Sequence, residues 1–270
     1  MKIDLTSTAG FPLQLDTEAQ DIVTGDGIRF DRAVRRKRMM RAVLREPDAV
    51  EDDAEMYFNF VMTSAGRHAE AFQRYHLTFA CVLLPPLQVG SEYVKTQGHY
   101  HPNMPGSSIA YPEVYTHYYG RLYLLMQRRI SDDPAKLDDC VLYEMQPGRS
   151  ITIPPGYLHV LINPTDEPAL MAGLYCVDSY PQYEPVVQMR GAAFYLVNGN
   201  GSVQLEANGR YTVYPPIVRL DDLTAGPFAP PREDVPLWSS FVNEPSIYAM
   251  LSDPTEAKRR FRPEELNRLD

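Results

Sequence analysis

Cysteine is scarce in this chain, a cationic surplus is absent, and no apolar run is long. The 270 residues include only Cys81, Cys140 and Cys176. An odd number at wide spacing, in no Cys-x-x-Cys pattern, excludes a disulfide framework and a zinc ribbon; buried small hydrophobes are the expectation. Lysine and arginine number 26 against 35 acidic residues, a net charge of −9. That balance argues against nucleic-acid and membrane-surface roles. It leaves phosphate binding open, because a few local donors and a metal outweigh a distant acidic surface. The longest apolar run, 79–84, stops at Pro85 and Pro86, far short of the roughly 20 residues that a membrane-spanning helix needs. The opening Met1, Lys2, Ile3, Asp4 lacks the apolar segment of a secretory signal. A cytoplasmic location is therefore expected.

Apolar residues make up 44% of the chain, enough for a substantial core. Residues 1–30 read as short extended pieces and turns, with Gly25, Asp26 and Gly27 marking a turn. Residues 31–44 are expected to form a helix capped by Asp31, its run Arg35, Arg36, Lys37, Arg38 being a solvated face. From Tyr57 the pattern becomes β. Short segments rich in Val, Ile, Tyr, Phe and Thr are expected at 57–62, 75–84, 91–97, 113–119, 122–128, 140–145, 151–154, 158–163, 169–176, 193–198 and 211–214. Pro147-Gly148, Pro154-Pro155-Gly156 and Asn198-Gly199-Asn200-Gly201 punctuate them. Many short strands at regular spacing imply a sandwich or barrel, so the fold class is all-β with a few peripheral helices. The expected division is an arm and helix over 1–55, a barrel over 56–220, and a proline-rich arm with short helices (239–251 and 254–268) over 221–270, within a single domain.

The chemistry concentrates in four residues. His99 and His101 are two apart, so on an extended strand both imidazoles leave the same face. Glu113 opens the next strand, with Tyr115, His117 and Tyr119 on its face, and His159 starts a later one. Three imidazoles and one carboxylate form the ligand set of a mononuclear divalent metal site. With no sulfur donor the set suits Fe²⁺, Mn²⁺, Ni²⁺ or Zn²⁺; the sequence does not choose among them, and Fe²⁺ is carried forward as the expected ion. His68 is expected to be exposed, His76 structural at a strand start, and His117 structural or supporting.

Gly148, Pro154, Gly156, His159 and Asn163 stand at the spacing of the second motif of the cupins, and His99, His101, Glu113 and Gly120 supply the ligands and closing glycine of the first. The chain thus resembles the cupin fold, a jelly-roll barrel of the double-stranded β-helix type. Two departures stand out. Tyr93 occupies the place of the opening glycine of the first motif, and residues 102–112 make an insertion between His101 and Glu113. A surface loop can absorb such an insertion at little closure cost.

A narrower resemblance rests on the stretch from Val89 to Pro102, including Lys95, Thr96, Gly98, His99 and His101. Pro112, Glu113, Val114 and Tyr115, the segment from Ile153 to His159, and Asn163 extend it. These are similar to the cupin-type glucose-6-phosphate isomerases. The resemblance implies interconversion of glucose 6-phosphate and fructose 6-phosphate by a homodimer holding one divalent metal per subunit. It implies His99, His101, Glu113 and His159 as metal ligands, Glu113 and Tyr115 as catalytic groups, and Thr96, Gly98, Tyr175 and Tyr57 as substrate contacts. Pro181 stands where the family pattern has a histidine, with Tyr183 nearby. Arm exchange through Phe11, Leu13 and Leu15, which have no obvious place in one barrel, would suit a dimer. The competing readings are an isomerase for another sugar or sugar phosphate, an Fe²⁺ dioxygenase, and a non-catalytic sugar-binding cupin.

Overall fold

The computed structural model describes residues 1–220 and 226–262. Among them the strands are β1 Lys2–Asp4, β2 Leu13–Asp16, β3 Asp21–Thr24, β4 Ile28–Arg36, β5 Glu55–Ala65, β6 Leu77–Leu84, β7 Gln88–Val89, β8 Glu92–Tyr93, β9 Glu113–Tyr119, β10 Leu122–Arg129, β11 Leu137–Met145, β12 Ser150–Ile153, β13 Tyr157–Ile162, β14 Ala169–Cys176, β15 Phe194–Gly199, β16 Ser202–Ala207 and β17 Val218–Leu220. The helices are short: α1 Thr6–Ala9, α2 Lys37–Met40, α3 Ala69–Tyr75, α4 Glu184–Gln188, α5 Leu237–Asn243 and α6 Pro254–Arg260. The fold is all-β, with short peripheral helices.

A six-stranded sheet, ordered β12-β9-β14-β6-β5-β4, faces a four-stranded sheet, ordered β13-β10-β11-β17. Strand alternation divides the larger sheet's side chains between two cores. Phe58, Phe60, Phe79, Cys81, Leu83, Val114, Tyr118, Ala172 and Leu174 point outward into one cluster. Tyr57, Tyr115 and Met171 point inward, where they join residues of β10 and β13. This inward face carries the site.

The outward face needs a cover, and both ends of the chain provide it. Phe11, Leu13 and Leu15 are buried against the same cluster as Leu237, Trp238 and Phe241. The Phe11 ring lies 4.7 Å from that of Trp238, and Phe72 lies 4.6 Å from Phe241. The N-terminal pieces, which had no obvious place in the barrel itself, thus pack on its outer face within the same chain. Their partner surface is the C-terminal helices, whose apolar residues are too few for a core of their own but complete this one.

The helix expected over 31–44 is mostly a strand. β4 pairs with β5 from Ile28 to Arg36, and the helical part is confined to Lys37–Met40 and a 3-10 turn at Arg41–Val43. Its arginines are spaced for an edge strand, where alternating charge is tolerated and protective: Arg32 lies over the Phe58 ring at 4.3 Å. The segment 211–214 is not a strand; Val213 makes a single bridge to Lys136. β16, not expected, pairs with β15 across the Asn-Gly turn. Of the expected helix 254–268, the residues after 262 lie outside the described ones. All three cysteines are free and buried. No helix among the described residues is long and apolar enough to cross a membrane.

Candidate metal centre

His99 and His101 lie in a loop that is zipped to β13. His159 N donates to His99 O at 3.3 Å, Thr96 N donates to Leu161 O at 2.9 Å, and Leu161 N donates to Thr96 Oγ1 at 3.0 Å. Gly98 makes this approach possible: its φ is +75°, and a Cβ there would meet Val160 Cγ2 at 2.6 Å. Glu113 enters from β9, across from Tyr175 of β14.

The four side chains converge. His99 Nε2 and His101 Nε2 are 3.1 Å apart, and Glu113 Oε2 is 3.5 Å from Nε2 of both His101 and His159. One donor atom from each of the four residues lies within 4.8 Å of every other. The far nitrogens of two rings are engaged: His101 Nδ1 meets Tyr111 O at 2.9 Å and His159 Nδ1 meets Tyr157 O at 3.3 Å. A carbonyl there takes the N–H and leaves the Nε2 lone pair facing inward, the tautomer a metal requires.

The insertion 102–112 explains the Tyr111 contact. It folds as a small hairpin, with Met104 N donating to Ile109 O and Tyr111 N to Pro102 O. The added residues thus return to His101 and orient its ring.

Burial sets the protonation states. His101 is pushed down to about 4 and His159 to about 3, each chiefly by desolvation. His99 falls well below its ordinary value for the same reason, reinforced by His159 and His101. All three imidazoles are therefore neutral donors near pH 7. Burial drives the Glu113 carboxyl well above its ordinary value, with the Tyr115 hydroxyl opposing this by hydrogen bonding. His159 Nε2 is buried without any hydrogen-bond partner. An orphaned acceptor beside a carboxylate and two imidazoles is the environment that a divalent cation satisfies.

His99, His101 and Glu113 open on a cavity of about 170 Å³, lined also by Asn59, Val82, Tyr115, Tyr175, Pro181 and Tyr183. Thr96 does not line it; its hydroxyl is part of the zipper to β13. Tyr57 lies beside the cavity, near the Arg35 guanidinium. Lys95 is turned away, paired with buried Glu92. His117 is wedged between the carbonyls of Met145 and Tyr119, at 3.0 and 2.9 Å, away from the cluster. His76 pairs with Asp178 at 3.0 Å. His68, expected to be exposed, is partly covered by Trp238. Sequence reasoning missed Asn59, Arg35 and Gly173. Only Gly173 carried a readable signal, an isolated glycine within a strand.

A family model for glucose-6-phosphate isomerase (GPI) matches residues 34–212. The chain belongs to that family. The glucose-6-phosphate isomerase of Thermococcus litoralis is 31% identical over 135 residues, 50% of this chain and 64% of that protein. That of Pyrococcus abyssi is 29% identical, over 50% of this chain and 65% of that protein. The matched stretch thus spans a little less than two thirds of these two relatives. A third family member, from Thermococcus gammatolerans, is 25% identical over 72% of this chain and 94% of its own length. The family match includes all four residues of the cluster. Likeness to solved structures is loose: an oxalate decarboxylase of Bacillus subtilis is matched with a TM-score of 0.32 at 19% identity, over 47% of this chain and 27% of that chain.

Proposed function

We propose that this protein is a metal-dependent aldose–ketose isomerase interconverting glucose 6-phosphate and fructose 6-phosphate. The observation that carries this reading is the convergence of three neutral imidazoles on a buried Glu113–Tyr115 pair at the floor of a sugar-sized cavity, in a chain of the GPI family. His99, His101, Glu113 and His159 would hold the ion, and a bound divalent cation supplies charge stabilisation to a developing enediolate.

The rest of the chemistry falls to the chain. Isomerisation moves one proton between C2 and C1, and Glu113 is the carboxylate that faces the cavity among the imidazoles. A carboxylate held at this position can take up the proton from one carbon and return it to the other. The Tyr115 hydroxyl, buried against the carboxylate, holds it in place. Tyr175 and Met171 close the sides and limit water. A hydride shift between the same carbons is the competing route and needs no base. Product formed in deuterated water separates the two: proton transfer through Glu113 exchanges with solvent, whereas a hydride shift retains the original hydrogen.

In this reading Fe²⁺ is the resident ion, the assembly is a homodimer and the compartment is the cytoplasm. The deciding assay strips the protein with chelator, restores single metals without oxygen, and follows fructose 6-phosphate conversion. Turnover restored by Fe²⁺ supports the reading, and no conversion with any of the four candidate ions would sink it. Anaerobic activity also separates it from oxygen chemistry.

A further inference from the structure

A phosphorylated sugar needs a cationic or strongly donating contact at its far end, and the metal cluster does not provide one. Lys95 is committed to Glu92, and the Thr96 hydroxyl to the β13 backbone. The charge-bearing side chain that remains near the cavity is Arg35, at the end of edge strand β4. Its Nη2 donates to Tyr183 Oη at 3.2 Å. Its Cζ lies 5.6 Å from the Tyr183 ring centroid and 6.0 Å from that of Tyr57. Tyr183 lines the cavity, with its ring 5.9 Å from that of His99. His99 and Tyr183 thus line the cavity, and Arg35 stands next to Tyr183, one side chain back from the lining.

Arg35 is half-buried, and no carboxylate pairs with it among the described residues, whereas its neighbour Arg36 holds Glu55 at 2.9 Å. A guanidinium held between two aromatic faces with its charge uncompensated is a ready partner for an anion. Arginine presents a planar fork that matches phosphate oxygens bidentately. Tyr183 is tied into place as well: Gln182 N donates to Tyr100 O at 2.8 Å, which couples this wall to the His99–His101 loop.

We propose that Arg35 is the specificity-determining anchor of the phosphate end of the substrate, reading a phosphomonoester against a neutral sugar, with Tyr57 and Tyr183 as its aromatic clamp. This rests on the isomerase reading for the sugar but not for the anion. The site selects a ligand with its hydroxyl or carbonyl end at the imidazole cluster and its dianionic end at Arg35.

The test uses binding rather than turnover, so that it stands apart from the isomerase assay. Calorimetry with the metal-loaded protein compares 6-phosphogluconate with gluconate. The wild type is expected to prefer the phosphorylated acid by at least 50-fold. R35M is expected to reduce that preference to about threefold or less, with metal content and unfolding midpoint unchanged. R35K keeps the charge and is expected to retain at least a tenfold preference. An R35M protein that still discriminates as well as wild type would overturn the proposal. So would R35K losing as much as R35M, because packing between the tyrosines, not charge, would then be at stake. Wild-type phosphate preference without isomerisation of either sugar phosphate would remove the isomerase reading and leave this one standing.

Discussion

A Cβ placed on Gly173 would stand 2.5 Å from Oε1 of Glu113 and 3.0 Å from the Tyr115 ring. Gly173 lies opposite Tyr115 on the neighbouring strand. The missing side chain is thus the space that the carboxylate occupies. Alanine there forces Glu113 to move, since its tip is more mobile than the backbone of β14. Gly173→Ala is expected to fold with a stability loss of about 1–3 kcal/mol, the range for overpacking, while metal affinity and turnover fall by at least tenfold. Titrating the stripped variant with one metal and repeating the isomerase assay checks both; unchanged affinity would show that Glu113 does not need this position.

Glu113 and His159 should each prove essential when replaced. Glu113→Gln keeps shape but removes the charge and the proton carrier, and His159→Ala removes one donor and leaves a void. Each is expected to lower activity by roughly two orders of magnitude or more, the scale of a lost acid–base group. Elemental analysis should show metal loss in both. Wild-type-like turnover in either variant would refute the site assignment.

The metal-free protein should lose stability as the pH falls below neutrality. His99, His101 and His159 have folded values depressed below the ordinary 6.5. The unfolded chain therefore takes up protons first, and stability falls as pH drops below about 6.5. Glu113 runs the other way. Its folded value is raised above 4.5, so its contribution is present below that pH and is lost as pH rises. Three imidazoles outweigh one carboxylate on the acid side, so the net effect is a loss of stability on acidification. Bound metal favours the ionised carboxylate and should remove its opposing contribution. Urea midpoints from pH 5 to 9, with and without metal, test this; an acid-side rise in the stripped protein would contradict the burial of the three rings.

Much of this centre was legible because a strand's period of two is strict. Glu113 and Tyr115 had to share a face of β9, whatever the barrel's details, whereas His99 and His101 lie in a loop and converge because it is pinned to β13. Asn163 was readable from the spacing of the second cupin motif, and Gly98 as a glycine that permits close backbone approach. Arg35 was not. A run of four basic residues has no apolar periodicity, so nothing in it distinguishes a solvated helix from an edge strand; pairing with β5 decides it, and pairing is a long-range property. The insertion 102–112 was visible as length only, and its role in orienting His101 depends on a hairpin closing back on itself. Phe11 and Trp238, far apart in the chain, meet only once the sheet they cover exists.

Asn163 should prove a structural anchor and not a ligand. Its Nδ2 donates to the carbonyls of Leu84, Pro85 and Glu167, at 3.2, 3.3 and 2.7 Å, and its Oδ1 accepts from Thr165 N at 3.0 Å. It is fully buried. The amide thus pins the turn after β13 to the end of β6. Asn163→Ala leaves these carbonyls and one N–H without partners, which costs about 1–3 kcal/mol for a buried group. The cost adds to that of the void. Asn163→Asp should be worse, because a buried carboxylate would then face three carbonyl oxygens with nothing to donate. Chemical denaturation should show both losses in the midpoint, with the order Asp below Ala. Metal affinity should stay within about threefold of wild type in Asn163→Ala, since His159 is held by its own strand. A large drop in metal affinity at unchanged stability would mean that the turn acts on the cluster directly.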